Sequence, residues 1–170
     1  MKILNEDFKF EQLASEVRMQ VLGAFSGQPQ RKLFVPGAKL YRFITPRKGA
    51  TRELAGNGVL DAQWWFDSDT RLQLSKLAHI SKTSLGNAAR SGLAVPARFN
   101  REMEYLCSIR LTAPVFGWIG KTRSQEDPDL KITYPGGRPQ VYFPSLATAA
   151  NGMSSAVARL EMWAYLDDAA

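Results

Sequence analysis

The sequence predicts an α+β domain in which helices flank a split or curved, mostly antiparallel sheet. Three observations carry that expectation. Helix-like and strand-like runs follow as helix, strand, loop, strand, helix, strands, loop, strand, helix, without the strict alternation of a parallel α/β fold. Neither GxGxxG nor a GxxxxGKS/T loop occurs, so the phosphate turns of Rossmann and P-loop architectures are missing. The 170 residues are 45% hydrophobic and 11% aromatic, enough to bury a core. That length favours one domain, with residues 1–30 as N-terminal helix and connector and 31–170 as the core.

Residues 8–22 place Phe8, Leu13, Val17, Val21 and Leu22 at helical spacing, with charged residues between them. GAFSGQPQRK then reads as a connector. In KLFVPGAKLYRFITP, alternation puts Tyr41 and Phe43 on one strand face and Leu40, Arg42 and Ile44 on the other. Both faces are apolar apart from Arg42, so a strand covered on both sides is expected. Pro46 and RKGATRELAGNG, with Gly49, Gly56 and Gly58, mark a loop.

VLDAQWWF is the second strand signal, and DSDTRLQLSKLAHI the helix after it. Ser68 or Asp69 suits its N-cap, and Leu72, Leu74 and Leu77 begin its apolar face. SKTSLGNAARSGLAVPARFN reads as a helix that breaks into a loop. EYLCSIRLTAPVFGWIG is the longest strand signal, with Pro114 at a bend, bulge or edge. KTRSQEDPDLK is polar and expected at the surface. A strand at 140–143 and a last helix from about Ser154, covering AVARLEMWAYL, complete the order.

Composition narrows the chemistry. Cys107 is the only cysteine, so no intrachain disulfide forms, and its apolar run EYLCSIRL suits an inert core thiol. With His79 as the only histidine, a metal site of the usual Cys/His kind lacks ligands. The same scarcity argues against Ser-His-Asp and Cys-His mechanisms, and His79 has no acidic neighbour in RLQLSKLAHI. No apolar run approaches the ~20 residues that span a bilayer. MKILNEDFKF lacks the apolar stretch of a signal peptide, so cytoplasmic synthesis and action are expected; delivery by a specialised secretion system is compatible with this. The net charge of +6 and pI near 9.6 attract polyanions: nucleic acid, an acidic protein, or an anionic dinucleotide.

Four positions stand out as candidates. Arg42 lies on an otherwise apolar face, where its planar fork either grips a phosphate or reaches solvent at the sheet edge. Trp64 and Trp65 are strand neighbours and face opposite ways. One packs in the core and the other is free to line a cleft, unless both belong to the core. In YPGGRPQVYFPSL, Gly136 and Gly137 permit positive φ and close backbone approach, and Gln140 follows on the strand. Its amide both donates and accepts. Buried without partners it costs on the order of 1–3 kcal/mol, so it either serves a ligand or sits at a hairpin edge.

These segments resemble the ADP-ribosyltransferase fold of bacterial toxins, a superfamily that includes toxin NAD glycohydrolases. The resemblance spans residues 39–143. LYRF is similar to a first strand carrying Arg or His, and AQWWFDS to an aromatic or Ser-containing second strand. SIRLTAPVFGWIGKT follows the helix, and PGGRPQVYF is similar to the late strand with the catalytic Glu or Gln. The resemblance implies NAD as substrate without a metal, and Gln140 as the catalytic side chain. It implies Arg42, Tyr41, Trp64, Trp65, Ser68 and Tyr142 around the NAD, with Arg42 on phosphate or ribose. This sequence departs from the pattern in lacking Glu-x-Glu: Tyr142 stands where the second acidic residue would be. Its first-strand residue is Arg, not His.

The implied reaction needs little acid–base power. Nicotinamide is a good leaving group, and the protein must clamp the diphosphate, stack the nicotinamide and hold the ribose hydroxyls. Water as acceptor gives hydrolysis; a protein or nucleic-acid nucleophile gives ADP-ribosylation, which the basic surface favours. A toxin or effector of this kind implies a cognate inhibitor or antitoxin. Two other classes compete. A non-catalytic nucleic-acid-binding domain would use the interleaved basic and aromatic residues of RKLFVPGAKLYRF. An assembly protein would place its tryptophans in an interface.

Overall fold

Period-two burial builds the sheet. In Lys39–Ile44, Tyr41 and Phe43 are buried on one face and Leu40 on the other. The computed structural model describes residues 3–44, 62–100, 102–144, 146 and 157–166. In chain order the elements are a 3-10 turn at Phe10–Gln12, α1 (Ser15–Gly23), β1 (Gln30–Phe34), β2 (Lys39–Ile44) and β3 (Trp64–Asp67). Then come α2 (Ser68–Ser81), α3 (Leu85–Gly92), β4 (Tyr105–Leu111), β5 (Val115–Lys121) and β6 (Gln125–Asp127). The last are β7 (Ile132–Tyr134), β8 (Pro139–Tyr142) and β9 (Ala158–Tyr165). The architecture is α+β. Seven strands form a sheet in the order β1-β5-β8-β3-β2-β4-β9, and β6 and β7 form a separate ribbon; these strand pairs are antiparallel.

The short β3 is shared between two halves of the sheet. Trp64 and Trp65 pair with Tyr142 and Val141 of β8, whereas Phe66 and Asp67 pair with Tyr41 and Leu40 of β2. Beyond Tyr41, residues 42–44 of β2 pair with β4 and no longer with β3. The sheet therefore opens at Arg42. Each face has its own core. Leu40, Trp65, Cys107, Ile109, Val141 and Phe143 share one cluster. On the opposite face, Tyr41, Phe43, Phe66 and Leu106 pack against Leu74 of α2, Ala89 of α3 and Leu93 just after it. Val21, Phe25 and Tyr142 form a third cluster with Phe10, Leu13 and Trp64.

Several expectations are corrected. The last helix is a strand: β9 pairs with β4 along its length, because β4 would otherwise leave a buried strand with an open edge. Residues 154–156 of that expected helix lie outside the described residues, as does the loop with Pro46, Gly49, Gly56 and Gly58. The first helix is shorter than residues 8–22. Phe8 and Phe10 turn onto Trp118 at ring distances of 4.9 and 5.4 Å, and that aromatic burial breaks the helical path ahead of α1. The N-cap of α2 is Asp67, whose carboxylate accepts the Thr70 N–H at 2.9 Å, and not Ser68 or Asp69. Its buried stripe is Thr70, Leu74 and Ala78, spaced i, i+4, i+8, which leaves Leu72 exposed.

KTRSQEDPDLK is only partly a surface segment. It contains β6, and Asp127 is buried, accepting N–H bonds from Ala97 at 2.8 Å, Asp129 at 3.2 Å and Leu130 at 3.3 Å. The bond from Ala97 is the main reason its carboxyl is held below the usual range. Among the described residues, no helix is long and apolar enough to cross a membrane.

Candidate active site

The Pro-Gly-Gly loop fixes the start of β8. Gly136 and Gly137 adopt φ of 68° and 88°, where a side chain is strained. The Gly136 N–H donates to the Ser91 carbonyl at 2.9 Å, Gly137 to Thr122 at 2.9 Å, and Arg138 to Gly92 at 3.0 Å. A Cβ on Gly136 would lie 2.8 Å from the Thr122 carbonyl oxygen. The close approach these glycines permit is thus to the C-terminal end of α3 and the end of β5. Those contacts satisfy carbonyls that a helix end leaves open. A link to α2, from the Arg138 guanidinium to the Gln73 side-chain oxygen at 3.3 Å, completes the anchoring.

Gln140 is held by this anchored loop. It is half-buried, pairs across from Gly120 of β5, and alternates with Val141, so it shares a face with Tyr142 and Trp64. Gly120 makes room for a ring: a Cβ there would lie 2.7 Å from Cδ1 of Phe25. The Phe25 ring leans on Trp64 at 5.4 Å, and Trp64 on Tyr142 at 5.1 Å. Phe10 stacks on Tyr142 at 6.3 Å. The Tyr142 hydroxyl is buried without a hydrogen-bond partner among the described residues, and burial pushes its pKa up. The Gln140 amide likewise has no hydrogen bond among the described residues.

Arg42 occupies the opposite face, at the sheet opening. Its guanidinium donates to the Trp64 backbone carbonyl at 3.4 Å, across the sheet opening. Desolvation lowers its pKa, with Cys107 acting weakly the other way. Burial pushes the Cys107 thiol up to about 12, so the residue paired opposite Arg42 is neutral. No carboxylate pairs with Arg42 among the described residues. Trp65 is fully buried on this same face, its indole N–H donating to the Ala62 carbonyl at 2.9 Å.

Gln140, Tyr142 and Trp64 are therefore brought together, while Arg42 and Trp65 face away from them. Tyr41 lies on the Gln140 face but under α2, stacked on Phe66 at 5.8 Å, with the Arg71 guanidinium 5.0 Å from its ring centre. Ser68 is exposed on the first turn of α2. The sequence did not single out Phe10, Phe25, Thr70 or Arg71. The Thr70 hydroxyl and Arg71 Nε are also buried without partners among the described residues. A polar pair on the first turn of an apolar helix face was the available signal for the last two.

The resulting class is a split antiparallel sheet with flanking helices and one polar, aromatic-walled face. No protein-family model and no curated protein sequence matches the chain. Among solved structures it is similar to Tne2 in complex with Tni2, at 17% identity and a TM-score of 0.57, covering 84% of this chain and 97% of that one. At this identity the likeness concerns the fold. It is also similar to Rhs1-CT in complex with its cognate immunity protein RhsI1, at 13% identity and a TM-score of 0.47, covering 81% of this chain and 80% of that one. For Tse6 in complex with Tsi6 the identity is 15% and the TM-score 0.45, with 92% and 90% covered.

Proposed function

We propose that the protein is a toxin or effector that cleaves NAD between nicotinamide and ribose, in the manner of the ADP-ribosyltransferase and NAD glycohydrolase superfamily. One observation carries this reading. The Gln140 amide is half-buried and aimed by an anchored loop, and among the described residues neither it nor the neighbouring buried Tyr142 hydroxyl, beside the Trp64 ring, has a hydrogen-bond partner. Buried polar groups are normally paired, and an unpaired one such as the Tyr142 hydroxyl costs about 1–3 kcal/mol. Ribose hydroxyls would offset that cost, and Trp64 would wall the nicotinamide. Arg42 faces away from Gln140, but it stands at the sheet opening, and its fork would suit the diphosphate if that reached through the opening.

Nicotinamide would leave with the electron pair of its glycosidic bond, and the ribose carbon would become oxocarbenium-like. The Gln140 oxygen would hold a ribose hydroxyl in place while the acceptor adds to that carbon and loses its proton. Tyr142 in the second acidic place, where a protein-modifying transferase would carry a carboxylate, favours water as acceptor. Transfer to a protein or nucleic acid is the second reading, supported by the net charge of +6. Because Tne2 is seen with Tni2, a protein inhibitor is part of the proposal.

The test incubates the protein with adenine-labelled NAD and cell lysate, following nicotinamide release and the fate of the label. Free nicotinamide with free labelled ADP-ribose is the expected result. Label on a macromolecule would select transfer. No nicotinamide release, with salt-sensitive RNA or DNA binding instead, would replace the enzyme with a nucleic-acid-binding domain.

A further inference from the structure

Three cations stand in a row across the other half of the sheet. Lys39 of β2 pairs directly with Arg110 of β4, and Arg110 directly with Arg159 of β9. Like charges directly opposite each other destabilise a sheet, so such a row needs an explanation. Part of it is internal. The register of β9 shifts between Ser108 and Ile109, which leaves Glu161 out of the ladder between Leu160 and Met162. Its carboxylate accepts from Arg110 Nε at 2.5 Å and Nη2 at 3.2 Å, and ion-pairs with Lys39 at 3.3 Å and Arg159 at 3.8 Å.

Among the described residues, one carboxylate against three cations leaves the row net positive. Arg71 of α2 adds a further cation: its guanidinium and the Lys39 ammonium both lie over the Tyr41 ring, at 5.0 and 5.6 Å. The row is accessible, with side-chain exposures of 32% for Lys39, 41% for Arg110 and 68% for Arg159. It ends at β9, the last strand of the sheet order.

We propose that this row is the docking surface for an acidic segment of a partner protein. Glu161 already shows how the row takes a carboxylate, with a two-point grip by Arg110. Neighbouring strands are about 4.8 Å apart. Carboxylates one helical turn apart on a partner, at about 5–6 Å, match that spacing. A single-stranded nucleic acid would need an aromatic platform, and Tyr41 is buried with Arg71 over it. The inference stands whether or not NAD is the substrate.

The test measures binding of a fluorescein-labelled ten-glutamate peptide by anisotropy, at low and high salt. It compares the parent with Lys39→Gln/Arg159→Gln, which keeps the Arg110–Glu161 pair. The double variant should bind about tenfold more weakly and melt no lower than the parent, because cross-strand repulsion is removed. Lys76→Gln/Lys121→Gln makes the same charge change at exposed positions elsewhere and should retain binding. Equal weakening in both double variants, or no peptide binding by the parent, overturns the proposal. So does tighter binding of a single-stranded DNA 20-mer that the row variant abolishes, since the surface would then be a nucleic-acid site.

Discussion

The half of the sheet made of β1, β5, β8 and β3 and the half made of β2, β4 and β9 pair their strands alike but treat polar side chains differently. In the first, Gln140 and the Tyr142 hydroxyl face an aromatic layer with no hydrogen bond among the described residues. In the second, Lys39, Arg110 and Arg159 gather on Glu161. Ser108 is the exception there, with a buried hydroxyl lacking a partner among the described residues. Unpaired polar atoms cost stability, and a paired charge cluster at a surface adds little of it. On the function proposed above, the first half would recognise the small ligand, while the second presents charge. Arg42 stands at the opening between them.

The largest expected effect separates the neighbouring rings of β3. Trp65→Ala should lose about 3–5 kcal/mol in urea denaturation, because that ring is fully buried. Trp64→Ala should lose only about 1–2 kcal/mol and abolish any NAD-induced fluorescence change. Equal losses, with no NAD phenotype in Trp64→Ala, would erase the distinction between ligand face and core. Next is Arg42→Lys, which keeps the charge but loses the fork. NAD affinity measured by calorimetry should fall about tenfold, or ~1.4 kcal/mol. Undiminished affinity would detach the sheet opening from the ligand.

Tyr142→Phe sharpens the comparison at lower cost. Removing a buried hydroxyl without a partner should leave stability unchanged or raise it by up to about 1 kcal/mol, while reducing the thermal shift caused by NAD. The smallest effect belongs to the other half. Hydrogen bonding to Arg110 is the main reason the Glu161 carboxyl is held below its usual range. A depressed carboxyl contributes stability that is present above its unfolded pKa, about 4.3, and is lost as pH falls through its folded value. In acid melts, Glu161→Gln should therefore show a flatter loss of stability than the parent; matching curves would mean the cluster contributes nothing.

Much of the central sheet and of α2 was legible in the sequence. The alternation in KLYRFI places Leu40 and Tyr41 on opposite faces, and both are buried. β9 was not legible, because Ala158–Tyr165 is rich in helix formers and only its pairing with β4 makes it a strand. The need for glycine at 136 and 137 could be read, but not the object of their close approach. That object, the end of α3, lies some 45 residues upstream. Which tryptophan would be core depended on a register set by β8. Gln140 was visible as an isolated amide after a tight loop; its neighbours Phe10 and Phe25 come from a segment that reads as an ordinary amphipathic helix and connector.

The central claim is that the Gln140 amide serves NAD and not the fold. Nicotinamide release by purified Gln140→Ala, measured beside its thermal melt, tests it most directly. The account predicts a melt within a few degrees of the parent, because the amide has no hydrogen bond to lose among the described residues. It also predicts loss of nearly all turnover, to below about one part in a hundred of the parent rate. A folded Gln140→Ala protein that releases nicotinamide at the parent rate would contradict it.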